Sequence, residues 1–226
     1  MTTSKLGTLT IGQAPRSDIT PILNTHLPAG LQCVHSGVLD GRTREDIDAV
    51  FAPQPGNATL VSRLLSGEAV VLDKPAVRRV LQQKIDALEA QGCTVVLILC
   101  TGEFEGLQCK SAWLVEPDRI VPPAAAALAG ARQAGIVVPL ESQIQSEYHK
   151  WAGLQCPPVC AAASPYVDND DALAEAARSL REQGADILIL DCMGFVERHR
   201  EVAKTASGLP VIVSNALIAR LTAELL

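Results

Sequence analysis

Leu88-Glu-Ala-Gln-Gly-Cys-Thr-Val-Val-Leu-Ile-Leu-Cys100 and Leu180-Arg-Glu-Gln-Gly-Ala-Asp-Ile-Leu-Ile-Leu-Asp-Cys192 align without a gap at a constant offset of 92 residues. Leu88 meets Leu180, Gln91 meets Gln183, Gly92 meets Gly184 and Cys100 meets Cys192. Two residues on, Gly102 meets Gly194. Each copy reads as the end of a helix, a glycine that stops it, a buried strand, and a cysteine at the strand's carboxyl end. A bias toward Ala, Val and Leu explains the apolar positions. It does not explain the shared register of two glycines and a cysteine, so the stretch is an internal repeat. A weaker echo sets Thr8–Arg16 beside Gly135–Ser142, each a strand leading into a polar helix start.

Short apolar runs alternate with helical patterns on both sides of the repeat. The predicted strands are Gly7–Ile11, Gln32–Ser36, Ala69–Leu72, Thr94–Leu99, Ala112–Val115, Gly135–Val138, Val159–Ala163, Ile187–Leu190 and Pro210–Val213. Helices are predicted at Ser17–His26, Arg44–Phe51, Pro75–Gln91, Pro122–Gln133, Glu141–Trp151, Asn169–Gln183, Glu197–Ala206 and Asn215–Leu226. Strand, helix, strand in this order predicts an α/β fold with mainly parallel sheets. The run Ala52–Asn57 reads as a loop.

Composition narrows the class. The 226 residues are 48% hydrophobic and 19% charged, with aromatics at 3%, which suits parallel strands covered by helices on both faces. A net charge of −6 argues against a nucleic-acid partner, which needs a clustered basic face. No leader pattern follows Met1–Lys5, and no apolar run approaches the ~20 residues that span a bilayer, so a cytoplasmic protein without a membrane partner is expected. Seven cysteines in such a chain read as reduced thiols.

Ligands of open α/β sheets bind beyond the carboxyl ends of strands, which is where the repeat puts Cys100 and Cys192. The turns that follow, Thr101-Gly102 and Met193-Gly194, carry a glycine that lets backbone N–H groups turn toward a ligand. A thiol near a helix N-terminus has a stabilised thiolate, the form that acts as base or nucleophile. Cys33, Cys93, Cys109, Cys156 and Cys160 read as small buried hydrophobes. After the first strand, Gln13 and Arg16 are candidate substrate contacts, Arg16 as a bidentate partner for a carboxylate or phosphate, the alternative being a solvated surface arginine. Ser214 and Asn215 follow the last strand as helix caps or substrate contacts. Pro139 and Glu141 hold the corresponding place after the Gly135–Val138 strand. His199, in a charged run, reads as part of a solvated helix face. Cys156-x3-Cys160 with His149 lacks a fourth ligand, so no metal is expected.

Four stretches extend these signals into a resemblance that spans essentially the whole chain: LTIGQAPRSDI (Leu9–Ile19), EPDRIVPP (Glu116–Pro123), LILDCMGFVERHRE (Leu188–Glu201) and PVIVSNALIARLTAELL (Pro210–Leu226). They resemble the AroM family, within or beside the aspartate/glutamate racemase superfamily that includes hydantoin racemases, maleate isomerases and arylmalonate decarboxylases. The resemblance implies two pseudo-symmetric lobes, residues 1–118 with 213–226 and residues 119–212, meeting at a cleft. It implies a racemase or isomerase that needs no cofactor, with Cys100 and Cys192 as the acid–base pair. The ligand is then a small carboxylic acid, contacted by Gln13, Arg16, Thr101, Gly102, Met193, Gly194, Ser214 and Asn215. A homodimer is common for such lobed enzymes, and the sequence leaves the oligomeric state open. Two departures stand out. Racemases of this group commonly follow the first cysteine with Asn-Thr and set the second in Gly-Cys-Thr, whereas this chain has Cys100-Thr101-Gly102 and Asp191-Cys192-Met193. They keep an alternative open: a non-catalytic protein that binds or senses a small acidic metabolite.

Overall fold

The computed structural model describes residues 4–167 and 169–226, and the first positions assigned to the first lobe, 1–3, lie outside them. In both copies of the repeat the helix is closed by the same device. Gly92 and Gly184 sit at φ +82° and +94°, a left-handed backbone that favours glycine. Cys93 N–H then donates to Leu88 O at 3.1 Å, and Ala185 N–H to Leu180 O at 3.0 Å. Leu88 and Leu180 are fully buried. A side chain at Gly7 would touch Leu88 and Cys93; one at Gly135 would touch Leu180 and Ala185. The gap left by each strand glycine is where the helix leucine packs, so the echo between the early strands runs Gly7 to Gly135.

The chain divides into two compact units, one taking the residues up to Pro117 with Ala219–Leu226, the other Asp118–Ile218. In the first, β1 (Lys5–Thr10), β2 (Gln32–Gly37), β5 (Val95–Leu99) and β6 (Trp113–Val115) form a parallel sheet ordered β2-β1-β5-β6. The connections carry helices α1 (Thr20–His26), α2 (Arg44–Phe51) and α3 (Lys74–Ala90). Thr43 opens α2 with a capping box to Asp46, and Asp73 caps α3 by accepting from Ala76 N–H. Between α2 and α3 lies an antiparallel hairpin, β3 (Thr59–Arg63) with β4 (Ala69–Asp73). The sequence pattern marks β4 but misses β3. The core gathers Leu9, Ile47, Phe51, Leu72, Leu81, Ile85 and Val96.

The second unit repeats the plan. Its sheet, β8 (Val159–Ala162), β7 (Ala134–Val138), β9 (Ile187–Leu190) and β10 (Val211–Val213), is parallel in the order β8-β7-β9-β10. Helices α5 (Ile144–Lys150), α6 (Asp171–Glu182) and α7 (Glu197–Ser207) connect it, while α4 (Pro117–Ala129) and α8 (Ser214–Ala223) follow the last strand of each sheet. β1 matches β7, β2 matches β8, β5 matches β9 and β6 matches β10. Register is kept: Gly7 pairs with Val96, and Gly135 with Leu188, again 92 residues on from Val96. α4 starts five residues before the predicted Pro122 and carries Pro122 and Pro123 inside it. Among the described residues, no helix is long and apolar enough to cross a membrane.

Candidate functional site

The parallel registers set the carboxyl ends of β1, β2 and β5 side by side, with Thr10 opposite both Gly37 and Leu99. The next residue after Leu99 is Cys100. In the second unit Val137 pairs with Leu190 and so does Val213, which brings the ends of β7, β9 and β10 together beside Asp191 and Cys192.

Both sulfurs are held alike. Gly102 N–H donates to Cys100 Sγ at 3.3 Å, and Gly194 N–H to Cys192 Sγ at 3.4 Å. Each cysteine is 8% exposed. A donor aimed at sulfur from two residues on requires the chain to turn tightly, and neither glycine has room for a side chain. A Cβ at Gly102 would lie 2.9 Å from Leu60 Cδ2 and 3.3 Å from Cys100 Sγ; one at Gly194 would lie 2.5–2.6 Å from the Tyr166 ring and hydroxyl. Tyr166 also touches the second thiol, its hydroxyl 3.5 Å from Cys192 Sγ. Leu60 belongs to the hairpin and Tyr166 to the loop after β8, so each unit roofs its glycine with the segment that follows its second strand.

Four of the other thiols, Cys33, Cys93, Cys109 and Cys160, are held in their protonated form. Burial pushes Cys109 up to about 12 and Cys160 up to about 11, and it raises Cys33 and Cys93 as well. Of the five side cysteines only Cys93 is fully buried, and Cys33 is exposed on an edge strand, which corrects its reading as a buried hydrophobe.

The residues proposed to hold substrate are largely engaged with the protein itself. Arg16 is 5% exposed, so it is not a surface arginine. Its Nε and Nη2 reach the two Asp18 oxygens at 2.8 and 2.6 Å, and Nη1 reaches Thr10 Oγ1 and Ser62 Oγ, each at 3.3 Å. Gln13 Nε2 donates to Leu39 O and Arg42 O, and its Oε1 accepts from Leu65 N–H at 2.9 Å. Ser214 Oγ donates to Leu190 O at 3.0 Å, while Asn215 Nδ2 donates to Met193 O at 2.9 Å and Phe195 O at 2.5 Å. Ser214 and Asn215 thus tie down the cysteine loop of their own unit. Asn215 Oδ1 is buried without a hydrogen-bond partner among the described residues. Thr101 and Met193 are buried beside their cysteines. Pro139 is buried and Glu141 exposed on a 3-10 turn. His199 is 4% exposed, which corrects its reading as a solvated face. It accepts Val196 N–H at Nδ1, 2.9 Å away, and lies edge-on to Phe195, so it caps α7. Among the described residues no group of three or more His, Cys, Asp or Glu is placed to hold a metal.

Sequence reasoning gave no role to Tyr166, Glu147, Lys150 or Trp151, and it left Asp191 without partners. Asp191 is 3% exposed, and Lys150 and Trp151 both bond its Oδ2. The spacing Glu147-x-x-Lys150-Trp151 could have placed these three on one helix face; nothing in the sequence marks Tyr166.

The fold is that of the racemase-like two-unit α/β proteins. An allantoin racemase from Pseudomonas fluorescens superposes with a TM-score of 0.66 at 16% identity, covering 97% of this chain and 89% of that one. An unliganded arylmalonate decarboxylase gives 0.61 at 13% identity, covering 99% and 92%. The glutamate racemase from Aquifex pyrophilus gives 0.60 at 14% identity, covering 98% and 84%. Among curated proteins none matches the sequence with significance. A family model described as "AroM protein" matches residues 6–226, and the chain belongs to the AroM family.

Proposed function

We propose that this protein is a cofactor-independent, cysteine-dependent racemase or isomerase acting on a small carboxylic acid, with Cys100 and Cys192 as acid and base. The observation that carries this reading is the matched pair of thiols. Each stands at the end of an equivalent strand, and each receives a backbone N–H from the glycine two residues on. Racemisation at carbon needs one group to take a proton and another to return one on the opposite face. Two thiols presented by repeated units would supply such a pair, and the fold relatives include racemases of allantoin and glutamate.

The chemistry sets a second requirement. A proton beside a carboxylate is so weakly acidic that the enolate must be stabilised by donors fixed in advance. Turns built on Gly102 and Gly194 are the proposed donors, backed by the Thr101 hydroxyl. Arg16 is proposed to act from behind, through Thr10 and Ser62, because its own fork is occupied by Asp18. The proposed setting is the cytoplasm.

The experiment is deuterium exchange into the α-carbon of candidate carboxylic acids in D2O, followed by NMR. Wild-type protein is expected to exchange at least one acid, and Cys100→Ser and Cys192→Ser each to lose that exchange. Exchange retained in both variants overturns the reading. A one-thiol mechanism is favoured by one observation, the Tyr166 hydroxyl beside Cys192 Sγ. In that case Cys192→Ser alone inactivates.

A further inference from the structure

The second unit holds a buried polar cluster that the proposed proton transfer does not use. Its centre is the carboxylate of Asp191, the residue before Cys192, with a side chain 1% exposed. Lys150 Nζ pairs with Asp191 Oδ2. Trp151 Nε1 donates to that same oxygen at 3.2 Å and to Glu147 Oε2 at 2.8 Å. Ser214 Oγ lies 3.4 Å from Asp191 Oδ1. Glu147 and Trp151 are 6% and 1% exposed. Two carboxyl groups therefore share one indole N–H and one ammonium.

Burying two carboxylates against one cation leaves a net charge in a medium that solvates it poorly. The proton stays on Glu147, whose carboxyl is pushed up to about 8, by burial first and then by the charge of Asp191. α5 supplies Glu147 and Lys150, β8 supplies Cys160, α8 supplies Ser214, and the end of β9 supplies Asp191, with Cys192 next in the chain. Cys160 lies within electrostatic reach of both carboxyls, which add to the burial that keeps it protonated.

We propose that Glu147 and Lys150 are positioning residues for Cys192: they fix the Asp191 carboxylate at the root of the cysteine loop, and the proton on Glu147 sets how much negative charge the thiol meets. The proposal rests on Cys192 being a reacting thiol. With Glu147 neutral, Lys150 and Asp191 balance. When Glu147 gives its proton to solvent, the cluster gains a second carboxylate beside Asp191, the residue next to Cys192, and the thiolate is disfavoured.

The test uses the full chain and iodoacetamide, which joins carbon to sulfur with loss of iodide. Alkylation of Cys192 and Cys100 is followed by peptide mass spectrometry from pH 6 to 9.5. Cys100 belongs to the other unit and serves as the internal reference. The ratio of the Cys192 rate to the Cys100 rate is expected to fall by about threefold or more as pH passes 8. Glu147→Gln, which mimics the neutral acid, holds the ratio at its low-pH value, and Glu147→Asp restores the fall. Lys150→Gln moves the fall to higher pH, because Glu147 keeps its proton longer without the ammonium. A flat wild-type ratio, or an unchanged fall in Glu147→Gln or Lys150→Gln, overturns the proposal. The wild-type profile decides even if a variant does not fold. A flat ratio with substrate exchange intact sinks only the positioning role; lost symmetry between the cysteine variants in the exchange assay sinks only the two-thiol reading.

Discussion

The two units share a strand order, a helix-ending glycine and an N–H aimed at sulfur, yet the residue before each cysteine differs. In the first unit it is Leu99, 4% exposed in an apolar core; 92 residues on it is Asp191, 3% exposed in a cluster of hydrogen bonds. The roofs differ as well. A hairpin covers Gly102 through Leu60, while a short loop covers Gly194 through Tyr166. Backbone symmetry fixes where the thiols stand. The side chains around them decide what each thiol feels, and there the units have parted.

The sharpest way to break the comparison is to exchange the two positions. Leu99→Asp places a carboxylate where no α5 cluster waits for it, and a loss of about 4 kcal/mol or failure to fold is expected in urea unfolding. A loss below about 1 kcal/mol would mean that Asp191 does not need its partners. Next comes Lys150→Met, which strands the Asp191 charge and is expected to remove about 3 kcal/mol. Adding Asp191→Leu should recover most of that, and a double-mutant cycle measures the coupling. The roofs rank third. Gly194→Ala drives a methyl into an aromatic ring and is expected to lose about 2–3 kcal/mol, whereas Gly102→Ala meets the end of a leucine that can shift and loses about 1 kcal/mol. Equal losses would show that the roofs are equally rigid.

A pair of opposed pH slopes separates the units further. Glu147 titrates near 8 when folded and near 4.5 when unfolded, so the folded state binds the extra proton between these values. Its contribution is full below about 4.5 and is lost as pH rises through 8. Glu89 is the reverse. Backbone N–H groups of Ala112 and Lys110, with further bonds from Ser111, hold its carboxylate down to about 2, so its contribution is present above 4.5 and lost as pH falls through 2. Protection against hydrogen exchange, taken relative to the intrinsic rate at each pH, should fall in acid for β6 peptides and in base for α5 peptides. Glu147→Gln should abolish the second slope and leave the first.

How much of this was legible depended on range. The repeat showed in the sequence because its parts are local: a leucine, a glycine four residues later, a strand and a cysteine. β3 did not, since Thr59–Arg63 follows a Pro- and Gly-containing loop and carries a serine whose partner, Arg16, lies 46 residues away. The same distance hid the fate of Arg16 and Gln13. Both stand where a substrate contact is expected, and only the hairpin folding back over them shows that their donors are spoken for. Asp191 was visible as an oddity beside a cysteine, but its ammonium comes from 41 residues upstream. The helix Pro117–Ala129 starts ahead of the predicted Pro122 because Pro122 and Pro123, which pattern alone marks as a helix start, lie inside it.

The amide of Gln13 gives the first unit a mechanical property. One side chain joins three loops, bonding Leu39 and Arg42 on one side and Leu65 at the hairpin tip on the other. Swinging the hairpin away breaks the Leu65 bond and leaves the amide held by Leu39 and Arg42 alone. Motion of the hairpin over Gly102 is therefore coupled through one amide to the loop around Leu39, and a proteolytic nick at Leu65-Ser66 should loosen both.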